Sequence, residues 1–109
     1  MGVMDESDVY AGRLDQEVVS LFLDDTPVRI RELRLAYEAG NTDSVRKLAH
    51  YLKGSAMYIN ARQMSALCAE VQHLAGVGDQ PALGEALTRL EHESTRVSCQ
   101  LQQIQETSL

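Results

Sequence analysis

The sequence predicts an all-α domain: an antiparallel up-and-down four-helix bundle with a short extra helix at its N-terminal end. Three observations predict it. Apolar residues recur at helical spacing in successive segments from about Leu14 to the C-terminus. The connections between segments are short and carry helix-boundary residues, namely Thr26-Pro27, Gly40-Asn41, Asn60 and Gly76-Val77-Gly78-Asp79. No stretch alternates with a period of two, and no hairpin signal appears.

Taken in order, residues 1–12 are polar, carry Asp5, Glu6 and Asp8, and keep no sustained period, so they are expected to be a flexible segment preceding a domain over 13–109. Leu14, Val18, Leu21 and Phe22 then define a first short helix ending near Asp24 or Asp25, a cover on the bundle. Thr26 can cap a second helix, and Pro27 suits its first position, where no amide hydrogen is needed. That helix turns Ile30, Leu33 and Tyr37 inward and stops at Gly40, a good left-handed C-terminal residue. Asn41 caps the third, over about 42–59, with Asp43 in its first turn. Asn60 tolerates positive φ and can cap, so it both closes that helix and opens the next. The fourth carries Met64, Leu67, Cys68, Val71, Leu74 and Ala75 on one side. The last starts at Asp79-Gln80-Pro81. Its Leu83, Leu87, Leu90, Ser94, Val97, Leu101 and Ile104 form a heptad stripe, read as bundle core before dimer seam, so a monomer is expected.

Length and charge exclude several classes. At 109 residues the chain is one domain. No apolar run could cross a membrane and no signal-peptide pattern precedes the domain, which points to the cytoplasm. A net charge of −6 argues against nucleic acid and anionic membranes as partners. Residues 42–59 are nevertheless locally +2, through Arg46, Lys47 and Lys53 against Asp43. Cys68 and Cys99 make no zinc or redox spacing; Cys68 reads as core and Cys99 as an unpaired thiol.

The chemistry concentrates on the third predicted helix. Val45, Leu48, Leu52, Ala56 and Ile59 share one side of it, and His50 projects from the other. Arg46, Lys47 and Lys53 flank His50 within roughly 60° on the helical wheel. Gly54 lies one turn beyond, although a mid-helix glycine costs about 1 kcal/mol relative to alanine. Room for a large partner above the imidazole would explain it. His73 and His92 also face outward, but neither has a basic cluster or a glycine at i+4. No two histidines take the i, i+4 spacing of a helical metal site, and no nucleophile elbow or nucleotide-binding loop is present. What remains is an exposed nucleophilic imidazole ringed by cations that would attract and screen a phosphoryl group.

The run Leu48-Ala49-His50-Tyr51-Leu52-Lys53-Gly54-Ser55 resembles the signature of histidine-containing phosphotransfer (HPt) domains of multistep two-component relays. The similarity extends to Phe22-Leu23, Pro27, Leu33, Ala36, Ala61 and Leu67. It implies that His50 carries the phosphoryl group, that Lys53 helps to neutralise it and that Gly54 admits a receiver domain. It also implies a carrier that is not itself an enzyme. The resemblance further implies no cofactor of the chain's own, with the partner receiver expected to supply the aspartate and the magnesium. The implied partners are the receiver domains of a hybrid sensor kinase and of a response regulator. Asn60 stands where the family commonly has glycine, and can take the same backbone conformation. The wheel turns Ser55 toward the core side, where its hydroxyl is expected to bond back to a carbonyl. Met57, two turns from His50 on nearly the same face, joins Arg46, Lys47 and Gly54 as the expected docking surface. The competing reading is a non-phosphorylated helical adaptor that binds a partner through the same face.

Overall fold

A computed structural model describes residues 16–107, which form four helices: α1 (Gln16–Glu38), α2 (Thr42–Tyr58), α3 (Arg62–Val77) and α4 (Gln80–Thr107). The segment 1–12 and the expected start at Leu14 lie outside the described residues. Each helix packs on two others, α1 on α2 and α4, α3 on α2 and α4, while the backbones of the diagonal pairs stay farther apart. This closed ring is the up-and-down bundle that short connections require.

The break expected at Thr26-Pro27 is absent. The short cover helix and the second helix are one helix, α1, with Pro27 inside it. A mid-helix proline removes one hydrogen bond and crowds the preceding turn, at a cost of about 3 kcal/mol. The apolar stripe explains why the helix survives. Val19, Phe22, Thr26, Ile30 and Leu33 keep one phase across Pro27, and Val19, Phe22, Thr26 and Leu33 are buried. Each large apolar side chain buried contributes about 1.5–3 kcal/mol, so residues on both sides of Pro27 outweigh it. Thr26, expected to cap, occupies a core position instead.

The junctions follow their residue chemistry more closely. After α1 the Asn41 amide donates to the Ala36 carbonyl at 2.9 Å and Gly40 to Tyr37 at 3.0 Å, with Gly40 at φ +72°. After α2, Ala61 donates to Ala56 at 2.8 Å and Asn60 to Met57 at 3.1 Å, with Asn60 at φ 61°. Both are the paired bonds of a Schellman end around a left-handed residue. Asn60 therefore closes α2 as expected, but it does not open the next helix. Ala61 is the N-cap of α3 and offers no side-chain bond. Asp79 does cap α4, accepting the Ala82 amide at 3.1 Å.

The core is continuous from Val19 to Leu101. In α4 the expected heptad set is buried from Leu83 through Leu101, with Ile104 packed against it, so the stripe is consumed within the chain. Cys68 is buried and Cys99 exposed, both unpaired.

Polar contacts fasten α1 to α4 at the rim. The Arg34 guanidinium grips Glu91 with two bonds, Nε to Oε2 at 2.9 Å and Nη2 to Oε1 at 2.7 Å. That hydrogen bond holds the Glu91 carboxyl below the usual carboxylate range. A depressed folded-state value means the contribution is complete above the ordinary carboxylate pKa and is lost as pH falls through the folded value. Arg34→Met is expected to cost about 1–2 kcal/mol at neutral pH, the range for a partly exposed, charge-assisted pair. Urea unfolding at neutral and acid pH checks it: the gap between wild type and variant should close as the solution is acidified.

Candidate functional site

α2 presents its outer face because its inner face and both ends are fixed. Asn41 accepts the Ser44 amide at 3.2 Å at the start, and Asn60 closes the end. Between them Val45, Ala49, Leu52 and Ala56 are buried, and Leu48 is half-buried beside them. His50, Gly54 and Met57 consequently face solvent, Met57 with 58% of its surface exposed.

On one flank of α2, Arg46, Lys47 and His50 line a notch of about 360 Å³ with Gln72 of α3. The Gln72 amide nitrogen lies 3.5 Å from His50 Nδ1, at the outer limit of a hydrogen bond. Either amide orientation suits this distance: the NH₂ donates to a bare Nδ1, or the carbonyl oxygen, turned over, accepts from Nδ1–H. In the second arrangement the nucleophilic lone pair is on Nε2, the nitrogen that does not face Gln72. The two cations are not free in this state. Arg46 Nη2 and Lys47 Nζ each lie 3.2 Å from an oxygen of Asp43. Lys53 is half-buried, and its charge opposes the burial that pushes the Cys68 thiol up to about 12.

The other flank is apolar. Val18, Leu21, Phe22, Tyr51, Gly54 and Tyr58 line a groove of about 530 Å³ between α1 and α2. Leu21 and Tyr58 are 69% and 70% exposed. A Cβ built on Gly54 meets nothing within 4 Å, so the missing side chain opens the groove beside His50. Tyr51 forms the wall: its hydroxyl donates to Asp25 at 2.7 Å, and Arg29 lies 5.0 Å over its ring. Ser55 bonds back to the Tyr51 carbonyl at 3.4 Å as expected, but it also lines the groove beside Gly54 and does not lie wholly on the core side.

Of the six residues singled out in the sequence, Arg46, Lys47 and His50 meet in the notch, and Gly54 edges the groove. Lys53 and Met57 line neither, though both lie on α2 beside them. Gln72, Leu21, Tyr58 and Asp25 are neighbours that sequence reasoning missed. Gln72 carried no signal, since its position depends on the rotation of α3 against α2. Leu21 gave one, an aliphatic residue at the edge of the α1 stripe, whose spacing counts toward the helix without telling that it is exposed.

Among the described residues no three histidine, cysteine or acidic side chains cluster as a metal site, and no helix is long and apolar enough to cross a membrane. In comparisons with known proteins, the family model described as the Hpt domain matches residues 17–106. No curated protein and no solved structure gives a significant match. The matched span runs from the first turn of α1 to the end of α4 and includes His50, Lys53 and Gly54. With most of its length matched and its helices closed into the expected bundle, the chain belongs to the Hpt domain family, the carriers of histidine phosphotransfer in phosphorelay signalling.

Proposed function

We propose that the protein accepts a phosphoryl group on His50 from a receiver-domain aspartate and passes it to a second receiver. The observation that carries this reading is the exposed His50 imidazole in a cation-lined notch, one helical turn before Gly54 at the edge of an open groove. In the forward step the Nε2 lone pair forms the N–P bond as the aspartyl P–O bond breaks, and the carboxylate leaves with that electron pair. Arg46, Lys47 and Lys53 offset the charge arriving at the ring. The chain contributes no cofactor; the magnesium belongs to the receiver, as does most of the transition-state stabilisation. The partners are the receivers of a hybrid sensor kinase and of a response regulator, met in the cytoplasm by a monomeric carrier.

Docking uses the groove together with the notch. Leu21, Tyr58 and the gap at Gly54 offer an apolar seat, and Arg46, Lys47 and Met57 lie along the same exposed side of α2. Such an arrangement puts an apolar anchor beside the reacting atoms, ringed by charge.

Incubation with a labelled phospho-receiver tests the acceptor assignment. Wild type should gain an acid-labile, alkali-stable phosphoryl group, and His50→Gln should gain none while melting like wild type. Equal labelling of the two proteins would refute it in favour of another acceptor, and a receiver bound equally well with no label on either would favour the adaptor.

A further inference from the structure

Asp43, Arg46 or Lys47, and His50 succeed one another at one-turn spacing along the exposed face of α2. Arg46 and Lys47 stand at i+3 and i+4 from Asp43, and at i−4 and i−3 from His50. Their long side chains can therefore reach an anion one turn before them or one turn after. In the resting protein both turn back, at 3.2 Å to Asp43 Oδ1 and 3.2 Å to Oδ2. All three side chains are at least half exposed, so these contacts are weak and readily exchanged. Yet Arg46 and Lys47 also line the notch with His50, which places them beside the ring without committing them to it.

We propose that Asp43 is the resting counter-ion of Arg46 and Lys47, and that phosphorylation of His50 draws both cations one helical turn along α2 and frees it. The proposal rests on the acceptor reading above. A phosphoryl group carries up to two negative charges and three acceptor oxygens, so it outcompetes one carboxylate for the same pair. The freed Asp43 remains in the first turn of α2, where the helix dipole still favours its charge. Asp43 is thus a positioning residue acting through Arg46 and Lys47. It halves the positive charge that Arg46 and Lys47 present at rest and so weakens the attraction of an anionic donor.

The test uses phosphoramidate, which requires no partner. The Nε2 lone pair of His50 attacks phosphorus, the P–N bond of the donor breaks and ammonia leaves with its electron pair. Wild type, Asp43→Asn and His50→Gln are followed by phosphorus NMR at low and high salt. Asp43→Asn should accept about 1.5- to 5-fold faster at low salt, the range for one exposed ion pair. The gain should vanish at high salt, where exposed charges are screened. Its melting temperature should be equal or slightly lower, since a first-turn acid is lost. A merely structural role would lower stability and rate together. Unchanged rates in Asp43→Asn at low salt, with His50→Gln unlabelled, would overturn the proposal and leave the acceptor reading standing. Labelling of His50→Gln at the wild-type rate would overturn both.

Discussion

Gly54→Trp is expected to slow phosphoryl transfer from a receiver by about a hundredfold, the scale of loss when reacting groups are held out of register by an ångström or so. It should do so without lowering the melting temperature. Gly54 lies in the middle of α2 with open space around the position of a Cβ, so an added side chain starts outside the core. Any substituent instead fills the groove between Leu21, Tyr51 and Tyr58, beside His50. Gly54→Ala separates the two consequences. It should stabilise the fold by about 1 kcal/mol, because alanine restores helix propensity, while transfer falls only a few-fold. Thermal melting and a receiver transfer assay on the two variants make the check. Wild-type transfer by Gly54→Trp would show that the receiver approaches elsewhere. Labelling by phosphoramidate should be far less affected, since that donor is small enough to enter beside the indole.

The sequence made His50 and Gly54 legible for the same reason it made the core legible: both follow from the phase of one helix. The stripe through Val45, Leu52, Ala56 and Ile59 fixes which way α2 faces, and the outward positions follow by rotation. Gly40 and Asn60 were legible because a left-handed residue at a helix end has a short list of candidates. What failed was the local signal at Thr26-Pro27, where proline reads as a start wherever it stands near a plausible cap. Tertiary burial on both sides of it decided otherwise, as weak local preferences generally yield to packing. Gln72 and the Tyr51–Asp25 bond lie in a third class. They join different helices, and no periodicity within one helix reports its rotation or height against the next. The pairing of Arg46 and Lys47 with Asp43 was half visible: the spacing allows it, but it equally allows both cations to turn to His50.

Leu52→Ala is expected to be the most damaging single change on α2 for stability, and to separate scaffold from site. Leu52 is wholly buried, with Ala49 and Ala56 one turn to either side of it. It is therefore the one wholly buried long side chain between Val45 and Ile59, Leu48 being only half-buried. Two alanines cannot reach into the space it leaves, and the surrounding helices are held by their own contacts, so the cavity should stay largely open. Truncations of this kind cost about 2–5 kcal/mol. For a domain of this size each kcal/mol moves the melting temperature by about 4–8 °C, so a fall of about 8–40 °C is expected in a thermal scan. The acceptor chemistry should respond differently. His50, Arg46 and Lys47 stand on the opposite face and take none of their contacts from Leu52, so labelling per folded molecule should stay near wild type well below the lowered transition. His50→Gln should show the reverse pattern, an unchanged transition and no label. If Leu52→Ala lost labelling while still fully folded, the outward face would depend on core packing more tightly than the separation of the two faces implies.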